Sequence, residues 1–244
     1  MKKILGNIRK ADADFGMIKE GDKVAVGVSG GKDSMTLLYA LHLYQKFAPV
    51  KFDLVGITLK LGFSGMDFNP VVEFCKAHDI EYHMVDTKVF EILQAKADKA
   101  GRLPCSLCSK FKKALLIKKA VELGCNKVSM AHHADDATET MVMNMIHNGF
   151  ISTFKAKMYM DESDITFIRP LIYCYESDII KVAKKHVPIV PSTCPMDKHT
   201  GREDIKMMLA DLYEKYPFSK ANLLNSMKNV ERVSLLEKEE LDEI

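Results

Sequence analysis

The segment Val28-Ser29-Gly30-Gly31-Lys32-Asp33-Ser34 follows directly on the alternating apolar run Lys23-Val24-Ala25-Val26-Gly27, and this succession leaves few folds open. An apolar strand that ends in small and hydroxyl residues and enters a helix at Lys32 builds a pocket for phosphate. Gly30 and Gly31 allow a tight turn that points backbone N–H groups at an anion, and the helix dipole adds partial positive charge there. Lys32 can neutralise phosphate oxygens, and Ser29 and Ser34 offer hydroxyl donors. The spacing differs from the Walker A loop, which places four residues between its first Gly and a Gly-Lys-[Ser/Thr] end. The segment predicts a bound nucleotide.

Further strands and helices alternate around this loop. Helical spacing is present over 35–47, 71–78, 88–98, 111–123, 135–146 and 176–186. Apolar strands are expected at 52–59, 80–85, 127–130 and 167–172. Such alternation predicts parallel βαβ units in a doubly wound α/β sheet, with helices from Gly201 onward and an acidic tail. Ligands of such sheets sit beyond the C-terminal ends of strands. Ser29–Ser34 and Ala131–Asp136 both follow predicted strands, so they are expected to face one cleft. The chain divides into 1–190, a nucleotide-binding domain with an insertion at 101–110, and 191–244, a C-terminal segment.

Of the 244 residues, 47% are hydrophobic, enough for a real core. The N-terminal residues lack the apolar stretch of a signal peptide, and no run reaches membrane-spanning length, so a cytoplasmic location is expected. A net charge of +2 argues against a uniformly basic nucleic-acid-binding body, so any such surface must be local. Six cysteines in such a chain point to metal or redox chemistry rather than a disulfide framework.

Ala131-His132-His133-Ala134-Asp135-Asp136-Ala137-Thr138-Glu139 concentrates ionisable groups at a helix start. Carboxylates there are ordinary caps, but opposite a phosphate loop they also suit Mg²⁺, which takes one or two carboxylates plus phosphate oxygens. Asp135 or Asp136 is therefore expected to be a Mg²⁺ ligand or catalytic group, and His132 and His133 could line the cleft. Cys105 and Cys108 form a CxxC just ahead of a predicted helix, with Lys110, Lys112 and Lys113 favouring thiolates. Redox dithiol, zinc and iron–sulfur readings are all open, and Cys194 is the candidate third ligand. His199 could complete a zinc site. Cys75, Cys125 and Cys174 fit core positions.

The order Ser-Gly-Gly-Lys-Asp-Ser resembles the PP-loop of the ATP pyrophosphatase superfamily, whose members split ATP between the α and β phosphates. The wider pattern resembles the tRNA 2-thiocytidine synthetase family within it. The likeness covers most of the chain. It runs through Ala13–Asp22, Cys105-Ser106-Leu107-Cys108, His132-His133-Ala134-Asp135-Asp136 and Ile168-Arg169-Pro170-Leu171. It continues in Pro188-Ile189-Val190-Pro191, Lys215-Tyr216-Pro217 and Met227-Lys228-Asn229-Val230.

The resemblance implies a homodimeric cytoplasmic enzyme that adenylates the C2 oxygen of a cytidine in tRNA. Sulfur from free sulfide or a cysteine desulfurase then replaces the oxygen, and AMP and pyrophosphate leave. It implies ATP, Mg²⁺ and a [4Fe–4S] cluster on Cys105, Cys108 and Cys194, with one iron open to sulfide. Ser29, Gly30, Gly31, Lys32, Asp33 and Ser34 would hold the phosphates, with Lys32, Asp135 and Asp136 as the catalytic group. Thr58, Leu59, Ala131 and His132 would border the adenosine. Arg169 is expected either to contact phosphate or to brace the core. Two departures stand out. Typical members carry a second CxxC where this chain has Ser192-Thr193-Cys194-Pro195, and an arginine-rich segment where it has Ser109-Lys110-Phe111-Lys112-Lys113. Lys110, Lys112, Lys113, Lys118 and Lys119 are the basic candidates for RNA contact. Thiolation or amidation of another substrate with a structural zinc is the competing chemistry, and a redox-sensing nucleotide-binding module the non-enzymatic one.

Overall fold

The structure, a computed structural model, describes residues 1–98, 101–195 and 201–235. Six strands form one sheet: β1 (Asp22–Gly27), β2 (Phe52–Lys60), β3 (Glu81–Asp86), β4 (Lys127–Ser129), β5 (Lys157–Met160) and β6 (Ile165–Ile168). Their order is β3-β2-β1-β4-β6-β5, parallel throughout except for β5, which runs antiparallel to β6 at the edge. The doubly wound α/β framework expected from the alternating pattern is present. The antiparallel edge strand and the first helix were not expected.

That first helix, α1 (Lys2–Phe15), buries Ile4, Ile8 and Ala11 and ends on Gly16 in the left-handed conformation. Buried Asp12 binds it to its surroundings, accepting from the Ile18 N–H at 2.9 Å and from the Tyr44 hydroxyl at 2.8 Å. Helices α2 (Lys32–Tyr44), α3 (Asn69–Ala77) and α7 (Glu176–His186) share the core of one sheet face with α1, against Val24 and Val26 of β1. The other face packs Ala25, Val55 and Ile57 against Leu116 and Ala120 of α5 (Cys105–Glu122). Alternate residues of β1 thus serve two cores, as a strand covered on both sides requires. A short α4 (Val89–Gln94) precedes α5.

The helix expected from Phe111 begins six residues earlier, so the CxxC lies within its first turn, with Pro104 before it. A proline preceding a helix fits its fixed φ and missing N–H. α6 (Ala134–His147) follows β4, and beyond the sheet α8 (Gly201–Lys215) and α9 (Ser219–Ser226) pack on α6. Residues 201–235 therefore bury Ile205, Leu209 and Leu224 against the same body as the sheet domain. Among the described residues, no helix is long and apolar enough to cross a membrane.

The chain leaves β1 toward β2 on one side and later adds β4 on the other. The gap between the C-terminal ends of β1 and β4 is consequently the topological switch point, where such sheets open a crevice. The register aligns Val26 with Ser129 and Gly27 with Ile57. Ser29 and Ala131 therefore leave β1 and β4 near the level at which Thr58 sits in β2.

Thr58 is fully buried; its hydroxyl donates to the Val28 carbonyl at 2.7 Å and accepts from the Tyr82 hydroxyl at 2.6 Å. Its side chain braces the loop from beneath. Thr58→Val keeps the shape, removes both bonds and leaves the Tyr82 hydroxyl unpaired. The expected loss is about 2 kcal/mol of stability, from net bond values near 1 kcal/mol each. Urea unfolding measures it, and an unchanged midpoint would refute the bracing role.

Candidate active site at the sheet switch point

Where β1 ends, Ser34 of α2 closes the loop on itself. Its hydroxyl accepts from the Ser29 N–H at 3.1 Å and donates to the Gly31 carbonyl at 3.0 Å. With that proton committed, the Ser29 hydroxyl is the donor in the 3.1 Å contact between the two oxygens. Ser34 is buried and holds the loop's shape, whereas Ser29 is exposed at its rim. Gly30 has φ +84°, and a Cβ there would stand 2.8 Å from the Cβ of Val190. Val190 donates its N–H to the Gly30 carbonyl at 2.9 Å. Only glycine satisfies both the left-handed backbone and this approach.

Lys32 lies between two carboxylates, 2.9 Å from Asp33 and 3.0 Å from Glu176. Burial disfavours its charge, but bonds to both acids outweigh this and raise its pKa. Glu176, the first residue of α7, also receives Lys206 of α8 at 2.8 Å. Burial opposes its ionisation too, yet the hydrogen bonds of Lys206 and Lys32 hold its carboxyl down at about 2.

The acidic cluster of α6 faces this chain of charges. His133 and Asp136 form a reciprocal cap, with the His133 N–H donating to Asp136 at 2.9 Å and the Asp136 N–H donating to His133 Nδ1. Asp135 accepts from the Glu176 N–H at 2.7 Å and pairs with Lys220 of α9 at 2.5 Å. Asp135 is thus held by the start of α7 and by Lys220. Asp33 Oδ1 is different: it is buried, has no hydrogen-bond partner among the described residues, and stands 3.8 Å from His133 Nε2. His133 Nε2 is in turn 3.5 Å from Asp136. An orphaned carboxylate oxygen in the phosphate loop, with a second carboxylate on the other side of His133, is a donor type that fits Mg²⁺. Among the described residues no group of three or more His, Cys, Asp or Glu side chains is placed to hold a metal ion, so a Mg²⁺ here would need phosphate oxygens as further ligands.

Arg169 is buried and braces the cleft. It donates to the Lys155 carbonyl and, through Nε, to His132 Nδ1 at 3.2 Å, with its guanidinium 4.9 Å from the Phe154 ring centre. Burial and this guanidinium push the His132 pKa down to about 4. His132 is therefore neutral at physiological pH, and because Nδ1 accepts, its proton resides on Nε2. Leu59 and Ala131 are half-buried at their strand ends, each packed against a different core.

Cys75, Cys125 and Cys174 are buried, as expected of core residues, and all six cysteines are free. Cys105 is exposed, and Cys108 and Cys194 are half-buried. Burial raises the Cys108 pKa, and the charges of Cys194 and Cys105 add to the shift against the opposing Lys112. The lysines after the CxxC therefore do not secure a thiolate at Cys108. Cys194 and Cys105 are near enough for their charges to act on Cys108, but among the described residues no three His, Cys, Asp or Glu side chains, these thiols included, converge on one metal position; thiolate is nonetheless the donor type that iron–sulfur clusters take. His199 lies outside the described residues.

The sequence did not single out Glu176, Arg202, Lys206 or Lys220 as members of this site. Arg202 of α8 reaches Thr140 at 2.8 Å, Asp136 at 3.7 Å and Glu139 at 3.9 Å. The only hint was the charged helical pattern after Gly201. Of the basic residues proposed for RNA contact, Lys113 lies over the Phe167 ring and Lys119 pairs with Glu122.

Burial, and next the charge of Asp136, raise the Glu139 pKa from 4.5 to about 7. A carboxyl with a raised pKa takes up a proton on folding, so its contribution is full below the unfolded pKa and is lost as pH rises through the folded one. Glu139→Gln removes that loss. Its unfolding temperature relative to the parent should rise between about pH 5 and about pH 8. A difference that does not change with pH would contradict the shift.

A family model described as a PP-loop domain matches residues 2–188. The chain is 36% identical over 241 residues to the tRNA-cytidine(32) 2-sulfurtransferase of Geobacter sulfurreducens, covering 98% of this chain and 93% of the relative. It is 37% identical over 231 residues to the protein of that name from Vibrio vulnificus, covering 94% of this chain and 74% of the relative. Among solved structures, the U34-tRNA thiolase NcsA from Methanococcus maripaludis with its [4Fe-4S] cluster superposes with a TM-score of 0.74 at 24% identity. That match covers 96% of this chain and 79% of the other, and is a likeness of fold.

Proposed function

Because this chain belongs to the PP-loop family of tRNA-cytidine(32) 2-sulfurtransferases, we propose that it thiolates tRNA, replacing the C2 oxygen of a cytidine with sulfur at the expense of ATP. The observation that carries this reading is the bond from Val190 to Gly30. It seats the start of the segment bearing Cys194 on the phosphate loop, which supports a reading in which nucleotide and thiol chemistry share one cleft.

The reaction divides into two displacements. The C2 oxygen of the cytidine attacks the α-phosphorus of ATP, the bond to the β-phosphate oxygen breaks, and pyrophosphate leaves. Sulfide then adds to C2, the C2–O bond breaks, and AMP departs with the oxygen. Sulfur enters and remains at the oxidation level of sulfide, so no net electron transfer is required.

The loop N–H groups and the start of α2 bind the pyrophosphate half of ATP. Lys32 exchanges Glu176 for phosphate oxygens, and Lys206 keeps Glu176 neutralised when it does. Asp33 and Asp136 would hold Mg²⁺, which offsets charge developing on the leaving pyrophosphate. His132 donates from Nε2 to an oxygen in the cleft, held in that tautomer by Arg169. Cys105, Cys108 and Cys194 would hold a [4Fe–4S] cluster, which supplies an iron position open to exogenous sulfur. Free sulfide or a cysteine desulfurase provides that sulfur.

Anaerobically purified protein given tRNA, ATP, Mg²⁺ and sulfide should form AMP, pyrophosphate and 2-thiolated cytidine in equal amounts. Lys32→Ala should lower AMP release at least about 100-fold, the scale of losing a preorganised charge contact in a transition state. Cys105→Ala, Cys108→Ala and Cys194→Ala should each lose bound iron and thiolation, with Cys125→Ala retaining both. AMP formation without any thiolated nucleoside in the parent would overturn the reading. Equal iron in Cys194→Ala and the parent would overturn the three-cysteine ligand set.

A further inference from the structure

We propose that a groove beside the catalytic cleft, between α1, residues 153–157 and α9, holds unpaired RNA next to the target nucleotide. The proposal rests on the tRNA-thiolation reading and assigns to it a surface on this chain. The groove measures about 400 Å³ and is walled by Phe15, Phe154, Tyr173 and Met227, with Lys155 and Lys228 at its lip. That volume lies within the range of ordinary ligand pockets, which begins near 300 Å³.

Three features specify the occupant. First, the walls are aromatic. Phe15 and Tyr173 stand 5.8 Å apart between ring centres, and Phe15 is exposed. Exposed and half-exposed rings beside lysines are how sequence-tolerant single-strand sites are built, because every base has a face that can stack. Second, the surrounding charge is positive and available. The ammonium groups of Lys10 and Lys228 lie 5.5 and 5.1 Å from the centre of the Tyr173 ring. Lys10, Lys155 and Lys228 are exposed and form no ion pair among the described residues. Lys157 also lines the groove and donates to the Gly16 carbonyl. The nearby carboxylate of Asp14 is engaged by the Tyr173 hydroxyl at 2.9 Å.

Third, the groove and the cleft share a wall. Phe154 lines the groove, and its ring centre lies 4.9 Å from both the His132 ring and the Arg169 guanidinium. A strand whose target base enters the cleft beside His132 would pass its neighbouring nucleotide across Phe154 into the groove. An unpaired segment is required, since the bases must be splayed apart to be presented in this way.

The test titrates the full chain, parent and Lys155→Glu/Lys228→Glu, with tRNA at several salt concentrations. The double variant should bind at least about tenfold more weakly at about 0.1 M salt. Its plot of log affinity against log salt should be shallower by about 1.4, two phosphate contacts at roughly 0.7 each on a single strand. Lys228→Ala merely trims an exposed side chain, and its smaller loss keeps the test decisive if charge reversal prevents folding. A photoreactive nucleotide beside the target cytidine should crosslink to a peptide containing Phe15 or Tyr173. Equal affinity of parent and variants overturns the groove and leaves tRNA thiolation standing. A parent that does not bind tRNA overturns both.

Discussion

The absence of a side chain at Gly30 governs how the two chemical halves of this protein meet. Because no Cβ is present, Val190 comes into contact with the phosphate loop and bonds to its backbone. Four residues later the same segment carries Cys194. The phosphate site therefore depends on the sheet through β1, and Cys194 is tied to the phosphate site through Val190, while Cys105 and Cys108 stand on α5. A residue matched only by its place in a turn becomes the contact that registers one site against the other.

Around that contact, the site is a balanced set of charges drawn from distant parts of the chain. Acidic groups come from the loop, α6 and the start of α7, and their partners Arg202, Lys206 and Lys220 come from α8 and α9. The PP-loop family match ends at residue 188. The nucleotide-binding core is thus completed by a C-terminal segment that also closes the groove through Leu224, Met227 and Lys228.

Much of this fold is legible in the sequence because strands covered on both faces appear as continuous apolar runs, and their alternation with helices leaves little choice of topology. Ser29–Ser34 and His132–Asp136 stood out because their chemistry is concentrated in a few consecutive positions. The first helix did not, since Lys2, Lys3, Arg9 and Lys10 interrupt the stripe of Ile4, Ile8 and Ala11. β5 escaped notice because an edge strand pairs on one side only, and Tyr159 remains exposed on it. Glu176, Arg202, Lys206 and Lys220 could not be found from local pattern. Each is unremarkable in its own helix and acquires meaning only where α6, α7, α8 and α9 converge.

The pairing of Lys32 with Asp33 and Glu176 has a consequence for discrimination among anions. The cation at the centre of the loop already has oxygen partners, so an incoming anion gains little from simple attraction and must win by exchange. A carboxylate offers Lys32 nothing that Glu176 does not already provide. A polyphosphate can engage the ammonium while its remaining oxygens take the backbone N–H groups that turn around Gly30 and Gly31. Selectivity thus falls to the shape of the anion, and the resident glutamate acts as the competitor that every candidate guest must displace.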